Sequence, residues 1–192
     1  MAKGAYIGVG GVARKIKKGY IGVYRDVEVN AKGLPSGYAE LEYIENTGTQ
    51  YINTGVVPTK QTKIEIEVSD WGSSEVSTTL FGAQKPSGSR YEVFINSSGK
   101  YRSYYFGAYK DFSGVSCVDK STVIRDGVTT TINGVSVTNT EQYTNPNVPL
   151  FLLAHNSDGT ATRIASAKLY SCKIYENGIR VRNYVPCTDS SR

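Results

Sequence analysis

His155 is the sole histidine of the 192-residue chain, so any scheme that needs an imidazole must use it. It follows an apolar run, Leu150-Phe151-Leu152-Leu153-Ala154, and precedes Asn156-Ser157-Asp158-Gly159. A Ser–His–acid triad needs its serine on a strained turn, and no Gly-x-Ser-x-Gly elbow occurs. His155 is therefore expected to be a strand-end residue hydrogen-bonded to backbone. Glycoside hydrolysis needs two carboxyl groups facing each other across a cleft. Glu65 and Glu67 share one face of a strand, opposite Ile64 and Ile66, and read as solvent-side residues. Gly8-Val9-Gly10-Gly11 is not a phosphate loop, because the Gly-x-Gly-x-x-Gly spacing and a following helix are both missing. Cys117, Cys172 and Cys187 form no Cys-x-x-Cys pair and read as buried thiols rather than a zinc site or disulfide framework. No catalytic residues are expected, and the chain is read as a non-enzyme.

Binding is the better-supported chemistry. Sugar rings stack on flat aromatic faces, while amide, carboxylate and backbone groups orient their hydroxyls. Trp71, in Ser69-Asp70-Trp71-Gly72, and Tyr104, Tyr105 and Tyr109, in Tyr104-Tyr105-Phe106-Gly107-Ala108-Tyr109, are the aromatic candidates. Asn156 and Asp158 are the polar ones. Asn156 and Asp158 offer oxygen ligands of the kind that calcium takes. Two acceptors fall short of the six to eight that calcium takes, so no cofactor or metal is expected.

Such residues must be held by strands. Fifteen tyrosines and twenty glycines favour strands and turns over helices. Thr62-Lys63-Ile64-Glu65-Ile66-Glu67-Val68 alternates cleanly, which puts Ile64, Ile66 and Val68 on one face. Asp126-Gly127, Asn133-Gly134 and Asn177-Gly178 are expected to close tight hairpins. Residues 149–154 read as one fully buried strand, and it is far too short to cross a membrane as a helix. About ten short strands joined by turn signals predict an antiparallel jelly-roll sandwich, with a barrel as the alternative.

The net charge of +5 belongs to the first 32 residues, which hold seven basic and two acidic groups; the remainder is balanced at fifteen of each. Tyr6-Ile7-Gly8-Val9 returns as Tyr20-Ile21-Gly22-Val23, with Arg14, Lys15, Lys17 and Lys18 between the copies. Such a segment either adds a hairpin to its own domain or docks on another protein. We expect docking on an acidic protein face, with Tyr6, Ile7, Arg14, Lys15, Lys17, Lys18, Tyr20 and Ile21 as anchoring residues. Contact with nucleic acid through the basic side chains is the weaker alternative. The division is then residues 1–32 as an extended arm, 33–37 as a linker and 38–192 as the sandwich. The opening segment has no apolar core of a secretion signal.

The string Leu34-Pro35-Ser36-Gly37-Tyr38-Ala39-Glu40-Leu41-Glu42-Tyr43-Ile44-Glu45-Asn46-Thr47-Gly48-Thr49-Gln50-Tyr51-Ile52-Asn53-Thr54-Gly55 resembles the opening of a laminin-G-like domain. That domain is common in phages and prophages of Gram-positive gut bacteria. The closing stretch, from Ala165-Ser166-Ala167-Lys168-Leu169-Tyr170 through Val181-Arg182-Asn183-Tyr184-Val185-Pro186-Cys187, is similar to the same family. The Tyr-Ile-Gly-Val repeat also resembles a segment at the front of phage structural proteins. The resemblance implies a concanavalin-A-like jelly roll in a virion protein assembled in the bacterial cytoplasm. Capsid decoration is expected ahead of tail adhesion. The partners it implies are other virion proteins, held through residues 1–32, and host or mucus glycans. A homo-oligomer or symmetric array is expected, and no membrane.

Overall fold

The computed structural model describes residues 6–9, 12–15, 20–23, 38–71, 77–86, 89–140 and 144–189. These residues are all strand, turn and loop. The strands are β1 (Tyr6–Val9), β2 (Val12–Lys15), β3 (Tyr20–Val23), β4 (Tyr38–Glu40), β5 (Ile44–Thr47) and β6 (Ile52–Asn53). There follow β7 (Thr62–Ser69), β8 (Thr79–Gln84), β9 (Arg90–Ile95), β10 (Tyr101–Phe106), β11 (Ala108–Asp111) and β12 (Ser121–Asp126). The chain closes with β13 (Thr129–Ile132), β14 (Val135–Thr138), β15 (Phe151–Leu152), β16 (His155–Ser157), β17 (Thr160–Thr162), β18 (Ser166–Glu176) and β19 (Ile179–Asp189).

Two sheets form a jelly-roll-type sandwich. One runs β11-β10-β9-β8-β15-β6, with β16 and β17 alongside; the other runs β14-β13-β12-β7-β18-β19-β3, with β4 and β5 filling in beside β19 and β18. Pairing is antiparallel except for β16 on β8 and one isolated bridge. As the alternation predicts, Ile64, Ile66 and Val68 are buried and face Ile174, Cys172 and Leu169 across the ladder. Phe81, Tyr91, Val93 and Tyr105 line the inner face of the other sheet. Each such buried side chain contributes roughly 1.5–3 kcal/mol relative to exposure.

A charged inner-face residue breaks the apolar pattern. Arg125 is fully buried and spans the gap between the sheets. Its Nε donates to Thr130 Oγ1 at 2.8 Å, its Nη1 to the Tyr104 carbonyl at 2.6 Å and its Nη2 to the Glu92 carbonyl at 3.3 Å. Nη2 also donates to Ser103 Oγ, and the guanidinium lies 4.7 Å from the Tyr91 ring centroid. A buried cation is tolerable only when its donors are used. Here they tie β12 to the backbone of β9 and β10.

Local details depart from the turn signals. Asn133-Gly134 and Asn177-Gly178 do close two-residue hairpins, with positive φ at both positions. The β12–β13 turn instead falls on Gly127-Val128, one residue later than Asp126-Gly127 implies, because Asp126 still pairs with Thr129. The apolar run 149–154 is buried but is not one strand. Leu153 sits at φ 59°, and the chain reverses there. β15 therefore lies antiparallel to β8, and β16 parallel to it.

In the arm, β1 pairs with β2 in a two-stranded sheet of its own and lies beside β6 of the sandwich. Tyr20 and Ile21 lie on β3, whose backbone pairs with Tyr184–Cys187 of β19. This adds one strand to an edge that would otherwise present unpaired backbone groups. Lys17, Lys18 and the linker 33–37 lie outside the described residues.

Candidate functional site

Period-two alternation sends every second residue of β8 to β11 to the outer face of their sheet. The registers then build rows across it. One row is Tyr109, Tyr104, Glu92 and Gly82. The next is Asp111, Arg102, Phe94 and Thr79. Tyr109 reaches its place through the β10–β11 turn, whose first central residue, Phe106, has φ 53°. An aromatic residue rarely adopts that conformation. Its ring packs 5.4 Å from Tyr91 and 4.7 Å from Tyr105, which holds it there.

The rows form a continuous aromatic strip. Phe94 stacks on Tyr104 at 5.9 Å between centroids, and Tyr104 lies 5.2 Å from Tyr109. Arginines are interleaved with the rings. Arg163 lies 4.8 Å from the Phe94 ring, Arg90 lies 4.7 Å from Tyr104, and Arg102 lies 4.0 Å from Tyr109. Tyr109 is 50% exposed, Tyr104 is half-buried and Phe94 is buried. The strip therefore deepens from an open rim to a covered end.

At the covered end sits a polar cluster. Glu92 has no exposed surface. Its Oε1 accepts from Thr79 Oγ1 at 2.7 Å and lies 2.7 Å from Arg163 Nη2 and 3.0 Å from His155 Nδ1. Its Oε2 is 3.6 Å from Arg90 Nε and accepts no hydrogen bond among the described residues. Gln84 Oε1 accepts from Arg90 Nε at 2.9 Å and lies 3.0 Å from His155 Nε2. Burial alone would raise the Glu92 carboxyl above the usual range. His155, Arg163 and Thr79 outweigh burial and hold it below. His155 does stand at a strand end, opening β16, as expected from sequence, but its ring meets side chains rather than backbone and is buried between Glu92 and Gln84. The reversal at Leu153 places it there, beside Gly82.

The structure scatters the other sequence candidates. Tyr104 and Tyr109 share the outer face. Tyr105, one residue away from Tyr104, must point the opposite way and is buried in the core. Trp71 is fully buried, 5.0 Å from Tyr101 in an edge-on contact, so neither leaves a ring face for a ligand. Asn156 is also fully buried. Its Nδ2 donates to the Pro149 carbonyl at 2.6 Å and its Oδ1 accepts from Gly159 N at 2.7 Å, so both ends of the amide shape the turn. Asp158 is exposed at that turn with φ 50°. Among the described residues no group of three metal-ligating side chains occurs. Sequence reasoning missed Arg90, Glu92, Phe94 and Arg163. The alternation of Arg90-Tyr91-Glu92-Val93-Phe94-Ile95 carried a signal for the first three; Arg163 follows a loop and carried none.

A groove of about 410 Å³ opens beside β5 and β18, lined by Glu45, Asn46, Thr47, Asp70, Ser166 and Lys168. Three of its polar side chains are already engaged: Lys168 Nζ lies 3.0 Å from Asp70, and Asn46 Nδ2 donates to the Gln50 and Ala165 carbonyls. The aromatic strip is the better candidate.

Fold and site together define a β-sandwich with an aromatic and cationic sheet face. No protein family matches the chain, and no curated protein does. Among solved structures it is similar to NanB in complex with optactamide, at 14% identity and a TM-score of 0.53, covering 74% of this chain and 26% of that one. It is likewise similar to the K499G mutant of NanB sialidase from Streptococcus pneumoniae, at 14% identity and a TM-score of 0.51, covering 75% and 26%. The chain thus spans about a quarter of the length of these sialidase chains, and the likeness is one of fold.

Proposed function

We propose that this chain is a non-enzymatic glycan-binding module displayed on a phage virion. The observation that carries the binding reading is the ring strip Phe94–Tyr104–Tyr109 on an outer sheet face, half-exposed at its Tyr109 end. Stacked rings on a rigid sheet suit the apolar face of a sugar and bind at low entropic cost. Glu92 and His155 are not read as catalytic. A general acid or base must reach its substrate, and these side chains are 0% and 3% exposed. The sialidase neighbours, whose name marks them as acting on sugars, are compatible with this class of ligand.

The test is an array of host-surface and bacterial polysaccharides probed with the full chain. Saturable binding is expected, lost in Tyr109→Ala and Tyr104→Ala but kept in Tyr43→Ala, whose ring packs on Tyr170 of the other sheet. No binding to any glycan, or equal binding by Tyr109→Ala, overturns it.

The virion setting rests on the resemblance of the opening and closing segments and on the basic arm. In this reading the arm anchors the chain to the capsid, or to the tail as the second choice, and copies form a symmetric array. Because β3 is the edge strand of the sandwich's own sheet, the deletion that tests the anchor stops at residue 19: particles assembled with a chain lacking residues 1–19 would lose it. Unchanged incorporation refutes the anchor. A steep fall of arm-dependent retention on nucleic acid with salt would favour the nucleic-acid alternative.

A further inference from the structure

Charge does not balance on the aromatic face. Arg102 is matched one-to-one: its Nε and Nη2 meet the two oxygens of Asp111 at 2.5 and 2.9 Å. Arg90 and Arg163 are not matched. Both lean on the single carboxylate of Glu92, Arg163 at 2.7 Å and Arg90 at 3.6 Å. The carboxylate is sealed, whereas the Arg163 and Arg90 side chains keep 23% and 24% exposure. No other ion pair involves either arginine among the described residues. One positive charge is left over at the point where the strip is deepest.

We infer that the glycan taken by this face is acidic, with Arg90 and Arg163 as its anion-binding subsite and Tyr104 and Tyr109 as the platform for the adjoining sugar. The inference rests on the glycan-binding reading above and names the class of sugar. Guanidinium groups offer a planar fork that matches carboxylate, sulfate and phosphate oxygens. Here two forks are held by aromatic stacking, so little conformational freedom remains to be lost on binding. Glu92 is a positioning residue in this arrangement. It draws the two cations together and is itself fixed by Thr79 and His155. The crowding has a signature: the Arg163 guanidinium is pulled below its ordinary affinity for a proton, by burial first, with Arg90 adding to the effect and Glu92 opposing it. An anion between the arginines relieves their repulsion, and a neutral sugar does not.

The experiment is titration calorimetry of the full chain against matched pairs: a glucuronate-containing polysaccharide and its carboxyl-reduced form, a sialylated oligosaccharide and its desialylated core, and sulfated and phosphorylated glycans. At least one acidic member is expected to bind about tenfold or more tighter than its neutral counterpart, with affinity falling as salt rises. The arms identify which anion it is. Arg90→Gln and Arg163→Gln are each expected to weaken binding about tenfold or more, while Arg163→Lys, which keeps charge but not the fork, falls between. Melting curves run alongside report folding, and Arg90→Gln gives a second reading should Arg163→Gln unfold. Equal affinity for acidic and neutral members, or parent-like affinity in both Gln variants, overturns the inference and leaves the glycan-binding reading standing. Binding to no glycan overturns both. Preference for single-stranded nucleic acid, whose bases could stack on the same rings, also overturns it.

Discussion

Gly82 lies mid-strand in β8, and its φ is not in the left-handed region, so its backbone would accept any residue. Space is what it lacks. A Cβ built there stands 2.8 Å from His155 Nδ1, 3.1 Å from Thr79 Cγ2 and 3.2 Å from Glu92 Cγ. None of these is the loose end of an exposed chain. Thr79 and Glu92 are fully buried, and the His155 ring is held by Gln84 on its far nitrogen. Gly82→Ala therefore cannot be absorbed by one side chain swinging away. Overpacking of this kind costs about 1–3 kcal/mol, partly offset by the roughly 0.5–1 kcal/mol that alanine gains over glycine in a strand. A 2.8 Å contact puts the overpacking in the upper half of that range, so the net loss is about 1–2.5 kcal/mol, which would lower the melting temperature by roughly 2–10 °C in a domain of this size. Calorimetric melting of the full chain checks it. Combining Gly82→Ala with His155→Ala removes the closest clash, so the double variant should be more stable than the sum of the single losses by at least about 0.5 kcal/mol. A Gly82→Ala chain that melts at or above the parent temperature would refute the packing argument.

Three further outcomes follow from the same geometry. The folded-state Glu92 carboxyl is held below its unfolded value, so its contribution is present above the ordinary carboxylate range and is lost as pH falls through the lower, folded value. Glu92→Gln should flatten that part of the acid limb in a pH series of urea melts; an unchanged slope below pH ~4.5 would count against it. Arg125→Met fills the same space but takes the guanidinium donors away from the buried Tyr104 and Glu92 carbonyls, while the Ser103 and Thr130 hydroxyls keep each other and Asn139 Nδ2. It should cost about 3 kcal/mol or more by chemical denaturation, and a near-neutral result would mean those groups find other partners. Burial pushes the Cys172 thiol well above its ordinary value, so iodoacetamide should modify it only under denaturing conditions; rapid labelling of the native chain, located by mass spectrometry, would contradict the packing of β18 on β7.

The sheets themselves were readable from local pattern. Ile64, Ile66 and Val68 declare their face because a strand's side-chain period is two, and burial needs no knowledge of the partner strand. Asn133-Gly134 and Asn177-Gly178 declare their turns because few other residues tolerate positive φ twice in succession. Where the backbone did something less common, the pattern was silent. Phe106 and Leu153 both take positive φ without being Gly or Asn, and only their packing in the finished core makes that conformation affordable. The second of them breaks an apolar run that reads as one strand and carries His155 to Gly82.

The amino-acid sequence alone determined that this chain is a charge-balanced β-sandwich with a basic leading segment, since composition, alternation and charge distribution are local properties. Which aromatic residues face outward required the register. Tyr104 and Tyr105 look equivalent in a string, yet adjacent strand residues point to opposite faces, and only pairing with Glu92 and Tyr109 assigns Tyr104 to the surface. The cation cluster was decided wholly by tertiary structure. Arg90 and Glu92 are two residues apart, but His155 and Arg163 arrive from more than sixty residues away, and electrostatic attraction acts through space between atoms, whatever their separation along the chain.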